Sequence, residues 1–424
     1  MRKALLVASA MTLIIGLVGC APAASADEVR SSEPRQTPAS LPANELAELV
    51  SGNNQFAFDL YRQVRQGTDN LFFSPYSISI ALAMTYAGAR GETAREMARA
   101  MQFYLPADGL HPAFNYLDRQ LASRGEGAQG KDEKGFRLNV VNAIWGQKDY
   151  AFLSDYLDVL ARNYGAGLRV LDFKTQPGPS RVTINKWVEE QTESRIKDLI
   201  PEGAIDSLTR LVLTNAVYFN AAWESQFKES ATAPGVFHLI DGKEVTVPMM
   251  RQTASFGYGE GAAFTVVELP YDGNELSMVI LLPDEGQFEA FENALDNDVL
   301  RDAVNNLQRT RLDLTMPKFK METSFGLNDA LVDLGMVSAF DPGAADFSGM
   351  GGTRDLYITD VVHKAFVEVD EAGTEAAAAT AVIVGQTSVP ADPIRVTIDR
   401  PFLFLIRDIE TGTVLFLGRV MDPA

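Results

Sequence analysis

The chain has 424 residues, of which 46% are hydrophobic and 22% are charged, and its formal net charge is −19. An acidic chain of this kind argues against polyanionic partners, so nucleic acid is not expected as a ligand. The single cysteine in the sequence excludes an intramolecular disulfide and a zinc site built from several cysteines.

The N-terminal segment has the pattern of an export signal. Two basic residues precede an apolar run over 4–18, which is too short to span a membrane comfortably. The run leads into LVGC, which ends at Cys20 and resembles the processing box of bacterial lipoproteins, in which the cysteine is diacylated and becomes the new N-terminus. The alternative is a plain secretory peptide cut within 21–26. We predict a signal peptide over 1–19, lipidation of Cys20, and export to the bacterial cell envelope or surface, with the lipid as the only membrane anchor.

Residues 20–43 are rich in Ala, Ser, Pro and Glu and contain little that a core would bury. We therefore predict that they form a flexible tether. The remaining residues, 44–424, show no second linker and no internal repeat, which predicts one folded domain.

Apolar spacing predicts the secondary structure of this domain. Helical periodicity indicates helices over 44–65, 77–86, 93–103 and 180–196, the third with Thr93 as N-cap and Glu96 completing a capping box. Strand-like runs cover 138–145, 210–219, 264–269, 276–282, 311–318, 365–369, 402–407 and 414–420. Helices dominate the first half and strands the second, which favours an α+β fold with large mixed or antiparallel sheets.

Catalytic and metal-binding patterns are sparse. The three histidines, His111, His238 and His363, lie outside any HExxH motif, and the sequence has no nucleophile elbow, phosphate-binding loop or dinucleotide fingerprint. His363 lies between the apolar pair 361–362 and the strand predicted from residue 365, and we interpret it as a buried hydrogen-bonding residue. We therefore expect no enzyme activity, no metal site and no cofactor.

The segment 364–381, KAFVEVDEAGTEAAAATA, is the most informative part of the chain. After Glu371 it contains Gly373, Glu375 and otherwise only small side chains, and no proline follows until Pro390. Composition alone leaves two alternatives. Alanine is the best helix former, so a short surface helix is one of them. The other is an extended segment that joins a sheet, because its backbone donors are free and its side chains are small.

Six blocks of the sequence occur in an order that is typical of one protein family. They are NLFFSPYSISIALAMTYAGARGET (70–93), LTNAVYFNAAWESQF (213–227), VELPYDGNELSMVILLP (267–283), MPKFKMETSFGLNDALVDLGMVSAFD (316–341), HKAFVEVDEAGTEAAAAT (363–380) and VTIDRPFLFLIRDIETGTVLFLGRV (396–420). These blocks resemble the serpins, the serine protease inhibitor superfamily, with one departure at Asn220, where the family usually has lysine. The resemblance implies an α+β fold with a large central mixed β-sheet, two further sheets, about eight or nine helices and an exposed reactive loop.

The resemblance also implies roles for particular residues. Four polar residues match the shutter, a cluster beneath the centre of the main sheet: Ser74, Ser77, Asn215 and His363. Trp223 matches the tryptophan of the breach, the top of that sheet where insertion begins. Lys318 matches the salt-bridge partner of Glu371 at the base of the reactive loop.

The reactive loop of this family starts with a hinge, which here comprises Glu371, Gly373, Thr374, Glu375, Ala376, Ala377, Ala378, Ala379 and Thr380. Side chains of an inserted strand alternate between its two faces. The set that begins at Thr374 carries no charge, no proline and nothing larger than valine until Gln386. Non-inhibitory members often carry charge, proline or bulk there, so this composition favours an active inhibitor that traps its protease by loop insertion.

The cleaved bond follows from the hinge by counting. In inhibitory members the residue before the cut lies sixteen positions after the hinge glutamate, which gives Thr387 followed by Ser388; Gln386 and Ser388 remain alternatives. Threonine suits the shallow apolar pocket of elastase-like or subtilisin-like proteases, whereas a trypsin-like enzyme needs a basic residue, and the loop offers none before Arg395. The region 90–135 has no basic cluster, so we expect no heparin-type cofactor. We also expect a monomer.

Two other functions remain open from the sequence. One is a non-inhibitory serpin-fold surface protein that binds a ligand or a partner, and the hinge composition argues against it. The other is a lipid-anchored enzyme on the same fold, and the missing catalytic motifs argue against it.

Overall fold

The computed structural model describes residues 26–38, 40–128, 136–374 and 392–424. The helices within these ranges are α1 (Ala43–Val64), α2 (Pro75–Tyr86), α3 (Gly91–Ala100), α4 (Ala107–Ala122), α5 (Ser154–Val159), α6 (Pro177–Gln191), α7 (Phe288–Ala294), α8 (Asn297–Asn305), α9 (Asn328–Asp333) and α10 (Ser348–Gly351). A π-helical turn, Leu160–Tyr164, continues α5. Among these described helices, none is long and apolar enough to cross a lipid bilayer.

The strands within the same ranges are β1 (Asp27–Val29), β2 (Leu71–Phe73), β3 (Arg137–Gln147), β4 (Leu168–Leu171), β5 (Leu211–Ala222), β6 (Ala233–His238), β7 (Glu244–Glu260), β8 (Phe264–Pro270), β9 (Leu276–Pro283), β10 (Gln308–Pro317), β11 (Phe319–Gly326), β12 (Ile358–Val369), β13 (Gly373–Thr374), β14 (Ile394–Thr397), β15 (Phe402–Asp408) and β16 (Val414–Val420). Seven of them form the central sheet, in the order β1-β4-β3-β5-β13-β12-β11. The others form a second sheet, in the order β14-β10-β7-β8-β9-β15-β16-β2, with β6 paired to β7.

The predicted α+β class with a large central mixed sheet is confirmed. The long strand β7 pairs with β10 through most of its length and with β8 at its end, so the two further sheets that were expected form one hydrogen-bonded sheet. The described residues contain ten α-helices where about eight or nine were expected. Most of the strand predictions are also confirmed, although β12 starts seven residues earlier than predicted, so His363 lies inside the strand and not before it.

Aromatic side chains fill the space between the two sheets. Phe219 of β5 contacts Phe416 of β16, and Phe319 of β11 contacts Phe404 of β15. The opposite face of the central sheet is covered by α6, where Trp187 packs edge-on against Trp145 of β3. Every residue of β5 is buried, including the polar Thr214, Asn215 and Asn220, because this strand is covered on both faces.

The start of α3 differs from the prediction for a clear reason. The helix begins at Gly91 and not at Thr93, and its N-cap is Arg90. The Thr93 hydroxyl is 3.0 Å from the Ser338 hydroxyl, and Glu96 accepts a hydrogen bond from the backbone N–H of Ser338. The pair that suggested a capping box therefore binds a distant segment. Helix α2 starts at Pro75, two residues earlier than predicted, and α6 covers Pro177–Gln191 where 180–196 was predicted.

The expectation of a flexible tether over 20–43 is wrong for residues 26–38, which dock on the folded body. Strand β1 pairs antiparallel with β4 and becomes an edge of the central sheet. Arg35 donates from Nε to Asn115 Oδ1 (2.9 Å) and from its terminal nitrogen to Asp118 (2.6 Å), both on α4. The Gln36 backbone N–H donates to the Arg162 carbonyl (2.8 Å). Backbone pairing and ion pairs thus hold a segment that has little to bury.

Removing the Arg35 side chain should measurably destabilise the protein. Asn115 is only 1% exposed, so Arg35→Ala leaves a buried amide oxygen without this donor and also removes the ion pair with Asp118. We expect the free energy of unfolding to fall by about 2 kcal/mol and the thermal midpoint to fall by about 2–3 °C, as measured by circular dichroism. The control is Arg95→Ala, which breaks an exposed ion pair with Glu92 and should leave the midpoint nearly unchanged. Equal midpoints for the two variants would contradict the docked role of Arg35.

Candidate functional site

A polar cluster lies at the centre of the central sheet, on the face towards the second sheet. His363 of β12 is directly paired with Asn215 of β5, and the His363 Nδ1 lies within hydrogen-bond distance of the Asn215 amide oxygen. The Ser74 backbone N–H donates to His363 Nε2 (3.2 Å), and the Asn215 amide nitrogen donates to the Ser77 hydroxyl (2.5 Å). The structure therefore brings together all four residues that the sequence assigned to the shutter.

The hydrogen bonds of His363 determine its protonation state. Nε2 accepts from the Ser74 backbone, so Nδ1 carries the hydrogen and donates to Asn215. The ring is completely buried, and this burial lowers the pKa of His363 to about 3. At neutral pH the ring is therefore uncharged and links α2 to the two neighbouring strands, in keeping with its interpretation as a buried hydrogen-bonding residue.

A fifth residue of this cluster, Asn142 of β3, was not predicted from the sequence. Its amide oxygen accepts from the Ser77 hydroxyl (3.0 Å) and from the Asn215 amide (2.5 Å), and its amide nitrogen donates to the Ser77 carbonyl. Asn142 thereby extends the network to a third strand. The available signal was an asparagine between the apolar residues Val141 and Ala143 of a strand, because a polar side chain there must find partners when it is buried.

The central sheet is split at one end, between β5 and β12. Leu211–Val217 of β5 pair directly and in parallel with residues 358–365 of β12. Beyond this stretch, at the C-terminal end of β5, strand β13 lies between the two strands and pairs antiparallel with both, with Gly373 opposite Ala222 and Thr374 opposite Ala221. The first two hinge residues that reach the sheet are thus already strand residues, and the helical alternative does not hold for them.

Glu371 fixes the base of the hinge. Its carboxylate accepts from Lys318 Nζ (2.7 Å) and from the Thr232 hydroxyl (2.6 Å), and its carbonyl accepts from the Phe227 backbone N–H (2.8 Å). Burial acts to raise the pKa of Glu371, but the hydrogen bonds from Lys318 and Thr232 outweigh it and hold the pKa below the usual range. The carboxylate is therefore ionised at neutral pH. Thr232 was not identified from the sequence.

Gly373 occupies a position that only glycine fits. Its φ is +155°, and a Cβ atom built there would lie 2.2 Å from the Ala221 carbonyl oxygen and 2.8 Å from Ala222 Cα. Both neighbours are backbone atoms of β5, which cannot rotate away. The hinge glycine thus allows the chain to turn from Glu371 into the gap between the strands.

Trp223 and Tyr271 form the floor beneath the inserted hinge. Their rings stack with centroids 4.7 Å apart, and Trp223 Nε1 donates to the Asp370 carbonyl (3.0 Å) while its backbone N–H donates to the Ala372 carbonyl (3.0 Å). The Tyr271 hydroxyl lies 2.8 Å from the Thr374 hydroxyl, and both residues are buried. Tyr271 lies in the quoted sequence block 267–283, but its role was not predicted from the sequence.

Several residues singled out in the sequence lie outside the described residues. They are Cys20, the remainder of the hinge (Glu375, Ala376, Ala377, Ala378, Ala379 and Thr380) and the expected cleavage site, Thr387 and Ser388. The described chain resumes before β14, an edge strand that runs parallel to β10.

Known proteins resemble the chain in both sequence and structure. The model of the family described as serpin (serine protease inhibitor) matches residues 51–423. A protein of Thermococcus kodakarensis, described as an uncharacterised serpin-like protein, is 40% identical over 100% of this chain and 99% of its own. The leukocyte elastase inhibitor of Homo sapiens is 39% identical over 89% of this chain and 100% of its own.

Two solved structures have the same fold. The native state of tengpin, a thermophilic serpin, has a TM-score of 0.82 and 28% identity, over 94% of this chain and 99% of that one. Human thyroxine-binding globulin in complex with its ligand has a TM-score of 0.79 and 30% identity, over 90% of this chain and 100% of that one.

Proposed function

The chain belongs to the serpin family, and from this we propose that it inhibits serine proteases as a suicide substrate. In this proposal a protease cleaves the reactive loop, at Thr387-Ser388, and becomes attached to the loop as an acyl-enzyme. The cut loop then inserts into the central sheet as a new strand, carries the protease with it and distorts its active site, so that the acyl bond is not hydrolysed.

The split between β5 and β12 is the observation that best supports this proposal. Gly373 and Thr374 already occupy the open end of the split and run antiparallel to both neighbours. A strand that continued from them would replace a parallel pairing of β5 with β12 by two antiparallel pairings, which are slightly more stable per residue. Insertion is a form of β-augmentation inside the sheet, and cleavage would release it.

The register of β13 indicates which residues would meet the shutter. Thr374 lies opposite Ala221, so a strand that continued in the same register would place Thr380 opposite Asn215. Asn215 now pairs with His363, and that pairing must open for the strand to pass. The small side chains of 376–380 suit this passage because they demand little space beneath the sheet.

A covalent complex is the direct test of the proposed function. The soluble domain is mixed with serine proteases of elastase-like, subtilisin-like and trypsin-like specificity, and the products are separated on a denaturing gel. We expect an SDS-stable complex with a protease of the first two classes. Cleavage without any complex across the panel would support the non-inhibitory alternative, a serpin-fold binding protein, and would refute the inhibitor proposal.

The cleavage position should identify the protease class. With Thr387 before the cut, the released C-terminal peptide should begin at Ser388, as measured by mass spectrometry of the complex after denaturation. A peptide that begins at Thr387 or Val389 would mean cleavage after Gln386 or Ser388, which shifts the register by one residue and keeps the same protease class. A peptide that begins at Val396 would show cleavage after Arg395 and would contradict the elastase-like or subtilisin-like specificity.

We also propose that Cys20 is lipidated and anchors the exported protein to the cell envelope. The support is the LVGC sequence and the position of this single cysteine within it. Because the folded body begins with docked residues from 26 onwards, only about 20 Å of extended chain would separate it from the lipid. Cys20→Ala should block incorporation of labelled palmitate. Labelling of that variant, or native protein found without lipid in the medium, would refute the anchor.

A further inference from the structure

We propose that the Tyr271 hydroxyl is a positioning group that holds the reactive-loop hinge inside the central sheet before any protease is bound. It acts through Thr374, whose hydroxyl is 2.8 Å away. This inference rests on the proposed inhibitor function and adds a named residue that regulates the start of insertion.

Both hydroxyls of this contact are buried, which makes losing the contact energetically costly. Thr374 is 1% exposed and Tyr271 is 0% exposed, so neither hydroxyl can turn to solvent without moving the backbone or the ring. Burial raises the pKa of Tyr271 far above its usual value, so the phenol keeps its proton and remains a donor at every physiological pH. A buried hydroxyl that loses its partner is costly, which favours the inserted position of the hinge as long as both hydroxyls are present.

Tyr271 is itself held rigidly. Its ring stacks on Trp223 and meets Phe219 edge-on with centroids 5.1 Å apart, and its backbone N–H donates to the Leu276 carbonyl (2.9 Å). Tyr271 directly follows β8, a strand of the second sheet, and its backbone pairs with Trp223, the residue that follows β5 of the central sheet. The second sheet, which insertion does not divide, therefore carries the group that fixes the hinge.

Two competing rates, loop insertion and hydrolysis of the acyl-enzyme, decide whether the protein acts as an inhibitor or as a substrate. After the loop is cut, insertion must be faster than hydrolysis of the acyl-enzyme. With Thr374 already in place, the open end of the split is occupied and the strand only has to be extended from it. A hinge released from Tyr271 would have to enter the sheet first, and more acyl-enzyme would be hydrolysed in that time.

A double-mutant cycle tests the proposal. Tyr271→Phe leaves the Thr374 hydroxyl without this partner, and Thr374→Val, of nearly the same shape, leaves the Tyr271 hydroxyl without it. The double variant removes both hydroxyls and leaves an apolar contact, which should be nearly neutral. Thr374→Ser keeps the hydroxyl and is the control.

Each variant is titrated against subtilisin and pancreatic elastase, and the stoichiometry of inhibition is measured for whichever enzyme the parent traps. The stoichiometry minus one equals the ratio of cleaved to trapped inhibitor, and we expect this ratio to be about fivefold higher in each single variant than in the parent, in keeping with the loss of one buried hydrogen bond. The double variant and Thr374→Ser should stay within about twofold of the parent, since neither leaves a lone hydroxyl. If Tyr271→Phe acted by lowering the overall stability of the protein, its effect would add to that of Thr374→Val in the double variant. A specific pairing of the two hydroxyls predicts instead that the double variant recovers the parental stoichiometry.

Hydrogen exchange of the free protein gives a second readout that needs no protease. The backbone N–H groups of Trp223 and Asp370, which donate to Ala372 and Gly373, should exchange faster in the two single variants and at the parental rate in the double variant. Parental exchange and parental stoichiometry in both single variants would overturn the proposal. If Tyr271→Phe does not fold, the comparison of Thr374→Val with its control Thr374→Ser still tests the proposal. If the parent traps neither protease, the inhibitor function fails, while hydrogen exchange still decides whether Tyr271 holds the hinge.

Discussion

Replacing Thr374 with arginine should convert the protein from an inhibitor into a substrate of its target protease. Thr374 is 1% exposed and lies between β5 and β12, so an arginine there would be an unpaired charge beneath the sheet. Transferring an unpaired charge from water to this buried position costs several kcal/mol. Such a cost is enough to slow insertion by orders of magnitude. Attack on the distant Thr387-Ser388 bond should be little affected. Cleaved inhibitor should accumulate while protease activity survives, which a gel and an activity assay measure together.

Glu375→Arg provides the matched control for this experiment. Alternation along a strand would direct residue 375 of an inserted strand to the face opposite that of Thr374, so its charge would not enter the core between the two sheets. We expect this variant to form the covalent complex with nearly the stoichiometry of the parent. Normal inhibition by both variants would mean that the hinge does not have to insert, whatever the family of the chain.

Cutting the reactive loop should raise the thermal unfolding midpoint by tens of degrees. The uncut protein keeps a sheet that is split at one end, and a strand buried on both faces would complete it. The native state is then a kinetic trap, and cleavage lets the chain reach a more stable form. A protease that cuts the loop without being trapped is used for the cleavage, and the midpoint is followed by circular dichroism.

The control for this effect is Gly373→Val, cut in the same way. A side chain at this position meets the Ala221 and Ala222 backbone at less than contact distance, so the hinge cannot occupy the gap as it does in the parent. The gain in midpoint on cleavage should therefore be much smaller for this variant. An unchanged midpoint for the cut parent would show that its loop does not insert, and the non-inhibitory alternative would be favoured.

The fold was predictable from the sequence because its constraints are local motifs in a fixed order. The shutter residues come from three of these motifs and meet in the structure, as do Glu371 and Lys318. The docking of the N-terminal segment was not predictable, because composition shows how much apolar surface a segment can bury but not which strand it pairs with. Strand β1 is held by pairing with β4, a partner more than one hundred residues away.

Asn142 and Tyr271 show a second limit of the sequence. Both are ordinary residues of apolar strands or their ends, and their importance comes from partners that are distant in the chain: Asn215 for the first and Thr374 for the second. Periodicity places such side chains on one face of a strand without naming what lies opposite. The misread capping box at Thr93 has the same origin, because its hydroxyl serves Ser338 instead of its own helix.

Strand β1 also bears on how the protein avoids aggregation. A sheet edge with free backbone groups is a template for another chain, and very short or charged edge strands discourage such pairing. Strand β1 is three residues long, and two of them, Asp27 and Glu28, are exposed carboxylates. The outer edge beside β4 thus discourages pairing with neighbouring molecules, in a sheet that under the proposed mechanism accepts a strand of its own chain. In the proposed mechanism the new strand enters between β5 and β12, where Gly373 and Thr374 of β13 already lie.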